Sequence, residues 1–190
     1  MAEFDFSNVK KTKLGKDDKS SKGEWDERIK ELCGKINSNN DYITTSSCSG
    51  RILLMIEGFE KKPGLFLFVT HEKTSFDEIK KELIRISEKN KEMIYLKQEP
   101  CVLAVSCKTL EKAQKLVDKA RNAGWKKSGI TTSSKNHIVE LFSTERMDVP
   151  IIKDGKILVD DDSLRIIIDE ANSKLERTWG KIERLTSLIS

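Results

Sequence analysis

Between residues 25 and 36 apolar side chains recur at helical spacing. Trp25, Ile29, Leu32, Cys33 and Ile36 fall on one stripe, and the polar run from Asn37 to Asp41 ends it. A helix is therefore predicted from near Glu24. Residues 42–45 and 51–57 read as extended segments joined by Ser46-Ser47-Cys48-Ser49-Gly50, and 58–64 as a turn before a buried strand over 65–70. Ser75 opens the next helix, where Glu78 completes a Ser-x-x-Glu capping box and Phe76, Ile79, Leu83 and Ile86 form the buried face.

The second half repeats this grammar. A strand over 101–106 is followed by a helix opened by Thr109, with Leu110, Ala113, Val117 and Ala120 on its apolar side and Gly124 as its left-handed stop. Strands are predicted near 129–133, 138–142 and 156–159. Asp160, Asp161 and Asp162 then place negative charge at the positive end of a long last helix. Its seam runs through Leu164, Ile168, Ala171, Leu175, Trp179, Ile182, Leu185 and Ile189. The pentapeptide Ile-Thr-Thr-Ser-Ser occurs at 43–47 and again at 130–134, each time after a helix and before an apolar strand. That context predicts an internal duplication: a Lys-rich arm over 1–23, then one domain of two repeats, about 24–97 and 98–190. The alternation of elements suits α+β or α/β, and periodicity does not choose between them.

Composition narrows the function. Hydrophobic residues are 37% and charged residues 35%, a solvated globular balance. No apolar run approaches the ~20 residues of a membrane span, and the opening MAEFDFSNVKK lacks an apolar signal core. A cytoplasmic protein is expected. The four cysteines form no CxxC and there are two histidines, so no metal site is expected. The net charge of +4 is unevenly spread: residues 10–22 hold six lysines against Asp17 and Asp18. Such an arm is a solvated tail or a phosphate-binding element, with Lys19 and Lys22 as candidate contacts.

The most unusual stretch is Thr44-Thr45-Ser46-Ser47-Cys48-Ser49-Gly50-Arg51. Hydroxyls, a glycine and a forked cation suit an anion cradle, while the plainer reading is a polar turn satisfying its own backbone. His71 closes a strand, where an imidazole either faces a cleft or sits as a hydrogen-bonded surface group. The tryptophans read as core, although Trp125 beside Lys126 and Lys127 is a candidate for base stacking. Gly-x-Gly-x-x-Gly, GxxxxGK[ST] and GxSxG are all absent from the sequence, so a dinucleotide fold, a P-loop and a nucleophile elbow have no support.

The ordered motifs resemble the tRNA wybutosine-synthesizing protein 3 family. They begin with Asp18-Lys19-Ser20-Ser21-Lys22-Gly23-Glu24-Trp25-Asp26 and continue through the Ser-Ser-Cys-x-Gly-Arg signature at 46–51 and Val69-Thr70-His71-Glu72. Glu99-Pro100, Ser128-Gly129-Ile130-Thr131 and Val149-Pro150 follow in order. The resemblance implies an internally duplicated α+β fold with one barrel-like mixed sheet and flanking helices, not a Rossmann-type fold. It also implies methyl transfer from S-adenosylmethionine to a tricyclic wyosine precursor at the guanosine 3′ of the tRNA(Phe) anticodon. On that footing His71 and Arg51 are the candidate catalytic residues. Ser46, Ser47, Cys48, Ser49 and Arg51 are the candidate cofactor ligands, and Lys19, Lys22, Trp125 and Lys126 the candidate RNA contacts. A non-catalytic module that presents the anticodon loop to other enzymes is the alternative.

Overall fold

The first apolar stripe is the inner side of a helix, with Ile29, Leu32, Cys33 and Ile36 all fully buried. A computed structural model describes residues 6–14, 26–56, 64–132 and 137–189. In chain order the elements are α1 (Phe6–Leu14), α2 (Glu27–Ser38), β1 (Tyr42–Cys48), β2 (Arg51–Ile56), β3 (Phe66–Thr70) and α3 (Phe76–Ser87). Then come β4 (Ile94–Glu99), β5 (Val102–Cys107), α4 (Leu110–Asn122), β6 (Gly129–Thr132) and β7 (His137–Phe142). The last are β8 (Met147–Lys153), β9 (Lys156–Ile157) and α5 (Asp161–Leu188). They divide into two units: Met1–Ser49 with Cys101–Thr144 and Trp179–Ser190, and Gly50–Pro100 with Glu145–Thr178.

The first unit is built on a four-stranded sheet in the order β1-β5-β7-β6, every pair antiparallel. The two Ile-Thr-Thr-Ser-Ser copies begin on its two edge strands. Each copy carries a bulge. Thr45 and Thr131 are the extra residues, and each hydroxyl donates to a carbonyl of the facing strand, Thr45 Oγ1 to Ala104 O at 3.2 Å and Thr131 Oγ1 to Ile138 O at 3.3 Å. The bulged threonine is the third residue of the first copy and the second of the other. The strands that follow the copies differ in pairing: β7 returns beside β6, whereas β2 enters the other sheet.

Thr109 caps α4, its hydroxyl accepting from Lys112 N at 3.2 Å, and Gly124 ends it at φ +96°. Ala113, Leu116, Val117 and Ala120 form the buried side of α4, while Leu110, expected there, is exposed at the first helical position.

The second unit holds a five-stranded sheet, β3-β2-β4-β8-β9, again antiparallel throughout. Ser75 caps α3 as expected, accepting from Glu78 N at 3.2 Å. Glu78 leaves the capping box half made, because its carboxylate accepts from Thr74 Oγ1 at 2.6 Å instead. Thr74 and Asn172 exchange two further bonds, Thr74 N to Oδ1 at 3.0 Å and Nδ2 to Thr74 O at 2.8 Å, fastening the start of α3 to α5. Asp160 Oδ1 accepts from Ser163 N at 2.7 Å at the start of α5. All eight residues of its predicted seam, Leu164 through Ile189, are buried.

The class is α+β, and no described strand pair is parallel, so the arrangement is not Rossmann-type. One expectation changes: the strands form two antiparallel sheets, not a single mixed one. The cause lies at Ser49 and Gly50. Gly50 adopts φ +95°, and a Cβ there would sit 3.1 Å from Thr178 Cγ2, 3.2 Å from Glu99 O and 3.2 Å from Leu175 Cδ1. Only glycine takes this turn without strain, and it sends the chain out of one sheet and into the other. Gly50→Ala is therefore expected to cost about 1–3 kcal/mol of unfolding free energy, from crowding added to a disfavoured φ. Urea unfolding checks it, and an unchanged midpoint would mean the surroundings give way freely.

Candidate active site

Register gathers the site. β2 begins at Arg51 and runs antiparallel to both of its neighbours, so its start lies beside their ends. Arg51 pairs directly with Glu99, the last residue of β4, and Ile52 with Thr70, the last residue of β3. His71 follows Thr70 immediately and is half-buried. Arg51, Glu99 and His71 thus collect at one end of the five-stranded sheet.

Arg51 Nε donates to Glu99 Oε2 at 2.7 Å, with the two side chains 29% and 32% exposed. So exposed a pair adds little to stability, but a charge-assisted bond at that distance fixes where the guanidinium points. Side chains alternate along strands, so Arg51, Leu53 and Met55 share a face with their partners Glu99, Lys97 and Tyr95. On that face Lys97 is buried, with Nζ 3.6 Å from Asp148 Oδ1 and 5.1 Å from the centre of the Tyr95 ring. Asp148 also accepts from Arg146 Nε at 2.7 Å. Leu54 pairs with Phe68 and Met55 with Phe66, leaving Leu67 as a bulge. The bulge turns Phe66 onto the face of Arg51, whose guanidinium carbon lies 5.0 Å from the ring centre.

Ser46, Ser47 and Cys48 belong to β1 in the first unit, a strand and not a loop; Ser46 is exposed, Ser47 and Cys48 half-buried. Ser49 is corrected as a cofactor ligand. It is fully buried, and both its N and its Oγ donate to Asp26 Oδ2, at 2.9 and 3.2 Å. Asp26 stands at the N-cap position of α2 without making a side-chain cap bond, its carboxylate being committed to Ser49. Trp125 is corrected as a stacking residue: it is 0% exposed, and its Nε1 donates to Lys181 O at 3.0 Å. Lys126 is on the surface, and Lys19 and Lys22 lie outside the described residues.

Glu99 and Phe66 were missed as partners of Arg51. That Glu99 faces Arg51 became visible only once β4 was known to be a strand, and that Phe66 rather than Phe68 does so only once the bulge was.

A two-sheet antiparallel α+β protein, with a guanidinium, a carboxylate and an imidazole at one sheet end, is the class that fold and site define. It stands apart from enzymes that bind nucleotides on a parallel sheet. The chain belongs to the methyltransferase TYW3 family, which matches residues 7–190. Among its relatives is a tRNA wybutosine-synthesizing protein 3 homolog of Xenopus laevis, 37% identical over 190 residues, 97% of this chain and 74% of that one. Another, from Pyrococcus furiosus, is named tRNA(Phe) 7-((3-amino-3-carboxypropyl)-4-demethylwyosine(37)-N(4))-methyltransferase 1. It is 42% identical over 171 residues, 88% of this chain and 86% of that one. A solved protein of Pyrococcus horikoshii superposes with a TM-score of 0.84 at 38% identity, covering 96% of this chain and 92% of the other.

Ser49→Ala is expected to leave methyl-donor affinity unchanged and to lower unfolding free energy by about 1–2 kcal/mol, since it removes a fully buried hydroxyl and strips the half-buried Asp26 carboxylate of one donor. Calorimetric donor titration beside a thermal melt separates these. Loss of donor affinity without loss of stability would restore Ser49 as a ligand.

Burial also governs two of the thiols and one phenol. It pushes Cys33 and Cys107 up to about 12 from an ordinary 9.0, and Tyr42 to about 12 from 10.0. These groups leave stability untouched below pH 9. Above it the unfolded chain gives up their protons first, so stability is expected to fall between pH 9 and 12. Melting temperatures recorded across that window test this, and a flat profile would contradict it.

Proposed function

We propose that this chain methylates a ring nitrogen of a tricyclic wyosine precursor in tRNA(Phe), next to the anticodon, with S-adenosylmethionine as donor. The observation that carries the reading is the Arg51–Glu99 pair beside His71 at one sheet end, in a chain of a methyltransferase family. Acting on tRNA(Phe) is what the Pyrococcus furiosus relative is named for.

S-adenosylmethionine supplies an electrophilic methyl on a sulfonium, so the protein's work is alignment and exclusion of water. Its residues can be tested for fit. A forked cation suits the donor's carboxylate, and Arg51 fits: it is partly exposed, and Glu99 sets its orientation through Nε. Ser46, Ser47 and Cys48 carry hydroxyls and a thiol suited to weaker polar contacts; Ser49, buried against Asp26, does not fit. His71 is assigned to orient the base or to accept the proton its ring nitrogen loses. Lys19, Lys22 and Lys126 are assigned to backbone phosphates.

Arg51→Lys keeps the charge but loses the fork and the directed bond to Glu99. Losing one charge-assisted hydrogen bond predicts a drop in methyl transfer of about 10- to 150-fold, with the melting temperature close to wild type. Single-turnover methylation of tRNA carrying the precursor measures it. Wild-type turnover in the folded variant would reduce Arg51 to a general positive charge. Failure of the unaltered protein to bind S-adenosylmethionine by calorimetry would overturn the whole reading.

A further inference from the structure

One face of the first unit's sheet is closed by helices. Leu103, Val105, Val139 and Leu141 lie on it and are fully buried. On β1 the same face carries Tyr42, Thr44 and Ser47. The Tyr42 hydroxyl donates to Lys112 O of α4 at 3.2 Å, Thr44 Oγ1 accepts from Asn37 Nδ2 of α2 at 2.7 Å, and Ser47 is hydrogen-bonded to the Cys33 thiol of α2.

Side chains alternate along strands, so the residues between these point the other way. There one row crosses the four strands as Ser46, Ala104, Glu140 and Gly129. At about 4.8 Å from strand to strand, the row is about 14 Å long. The rows on either side are taller, with Val102 and Phe142 before it and Ile43 and Ile138 after it. The short row is therefore the floor of a trough, Ser46 exposed and the other three half-buried.

Glu140 is the one charged residue that the ladders put on this face, near the middle of an inner strand. Ala104 and Gly129 beside it have no side-chain donor, and among the described residues its carboxylate makes no hydrogen bond or ion pair. A half-buried carboxylate of that kind takes its donors from outside the protein. In a trough with apolar banks, a ligand can take the place of water in that role. Two carboxylate oxygens side by side suit two hydroxyls on neighbouring carbons, and acidic residues recognise the ribose of nucleotides through its hydroxyls. The same charge repels phosphate. Within an RNA chain every 3′ oxygen is esterified, so a free vicinal diol belongs to a nucleoside or to an RNA 3′ end.

We propose that Glu140 holds the ribose diol of a free nucleoside on this face. The nucleoside is the adenosine of the methyl donor, an inference that rests on the methyl-transfer reading above. Ser46 and Cys48, two of the polar candidates in that reading, share the face with Glu140.

The test reads binding and not turnover. Wild type and Glu140→Gln are titrated with S-adenosylhomocysteine, which is the donor without its methyl, and with its 2′-deoxy analogue. An anticodon stem-loop with a free 3′ end, the same stem-loop with a 3′ phosphate, and a thermal melt complete the set. Losing one charge-assisted bond predicts nucleoside binding about 10- to 150-fold weaker in Glu140→Gln. Wild type should lose a similar factor toward the 2′-deoxy analogue, and the variant should not distinguish the two ligands. RNA affinity and melting temperature should stay near wild type. Equal nucleoside affinity in the folded variant overturns the inference, as does a variant that still prefers the 2′-hydroxyl by the wild-type factor. A loss of affinity confined to the stem-loop with the free 3′ end would move the carboxylate to the RNA terminus, and also overturns it. If hydroxyl-dependent binding is found and precursor tRNA is left unmethylated, the methyl-transfer reading falls while the nucleoside site stands.

Discussion

Much of this structure follows from the space denied to a single carbon atom at Gly50. With Thr178, Glu99 and Leu175 all within 3.2 Å of where a Cβ would lie, and φ at +95°, the chain has one residue type that can make the turn. Because the turn is so tight, β1 ends at Cys48 and β2 begins at Arg51, in different sheets. Starting β2 at that residue puts Arg51 opposite Glu99 and level with the end of β3. A β2 that began one residue later would place Arg51 outside the ladder and Ile52 at the sheet end. The Gly-Arg pair is thus a geometric unit: the first residue sets the strand's origin and the second is what that origin delivers.

The helices were legible because an apolar stripe is a direct image of burial. The seam of α5 is complete, and Ser75 and Thr109 cap where their spacing said they would. Two strands were not legible. β4 reads Ile-Tyr-Leu-Lys-Gln-Glu, and its Lys97 and Gln98 are buried polar residues, so alternation fails where the strand is most enclosed. β8 contains Pro150, a residue that argues against an inner strand; the ladder accommodates it at a register shift beside Tyr95. One signal for β8 was present and unused. Asp154-Gly155, both at positive φ, is the two-residue turn that joins β8 to β9.

The site divides in the same way. Arg51 and His71 were legible as chemistry, and antiparallel register brings them to one sheet end. The core reading of Trp125 holds, while its candidacy for stacking and that of Ser49 for the cofactor fail for a shared reason: a hydroxyl and an indole look available in a string of letters, yet both are buried with their donors committed, to Asp26 and Lys181. Phe66 and Phe68 are indistinguishable in sequence. One extra residue in β3 decides which of them faces the guanidinium.

The interleaving of the two units carries a consequence for the order in which the chain can become a protein. Every residue of the second unit precedes Trp179, whereas the first unit draws on residues 1–49, 101–144 and 179–190. Trp179, Ile182, Leu185 and Ile189 are buried, so the first unit's core lacks part of its filling until they arrive. On a ribosome the part begun first is therefore finished last, and its early strand β1 must wait for β5 across some fifty intervening residues. Long-range closures of that kind are slow to form. Until then both edges of β1 are unpaired, and a run of threonine and serine there, in place of an apolar sequence, gives it little to aggregate with.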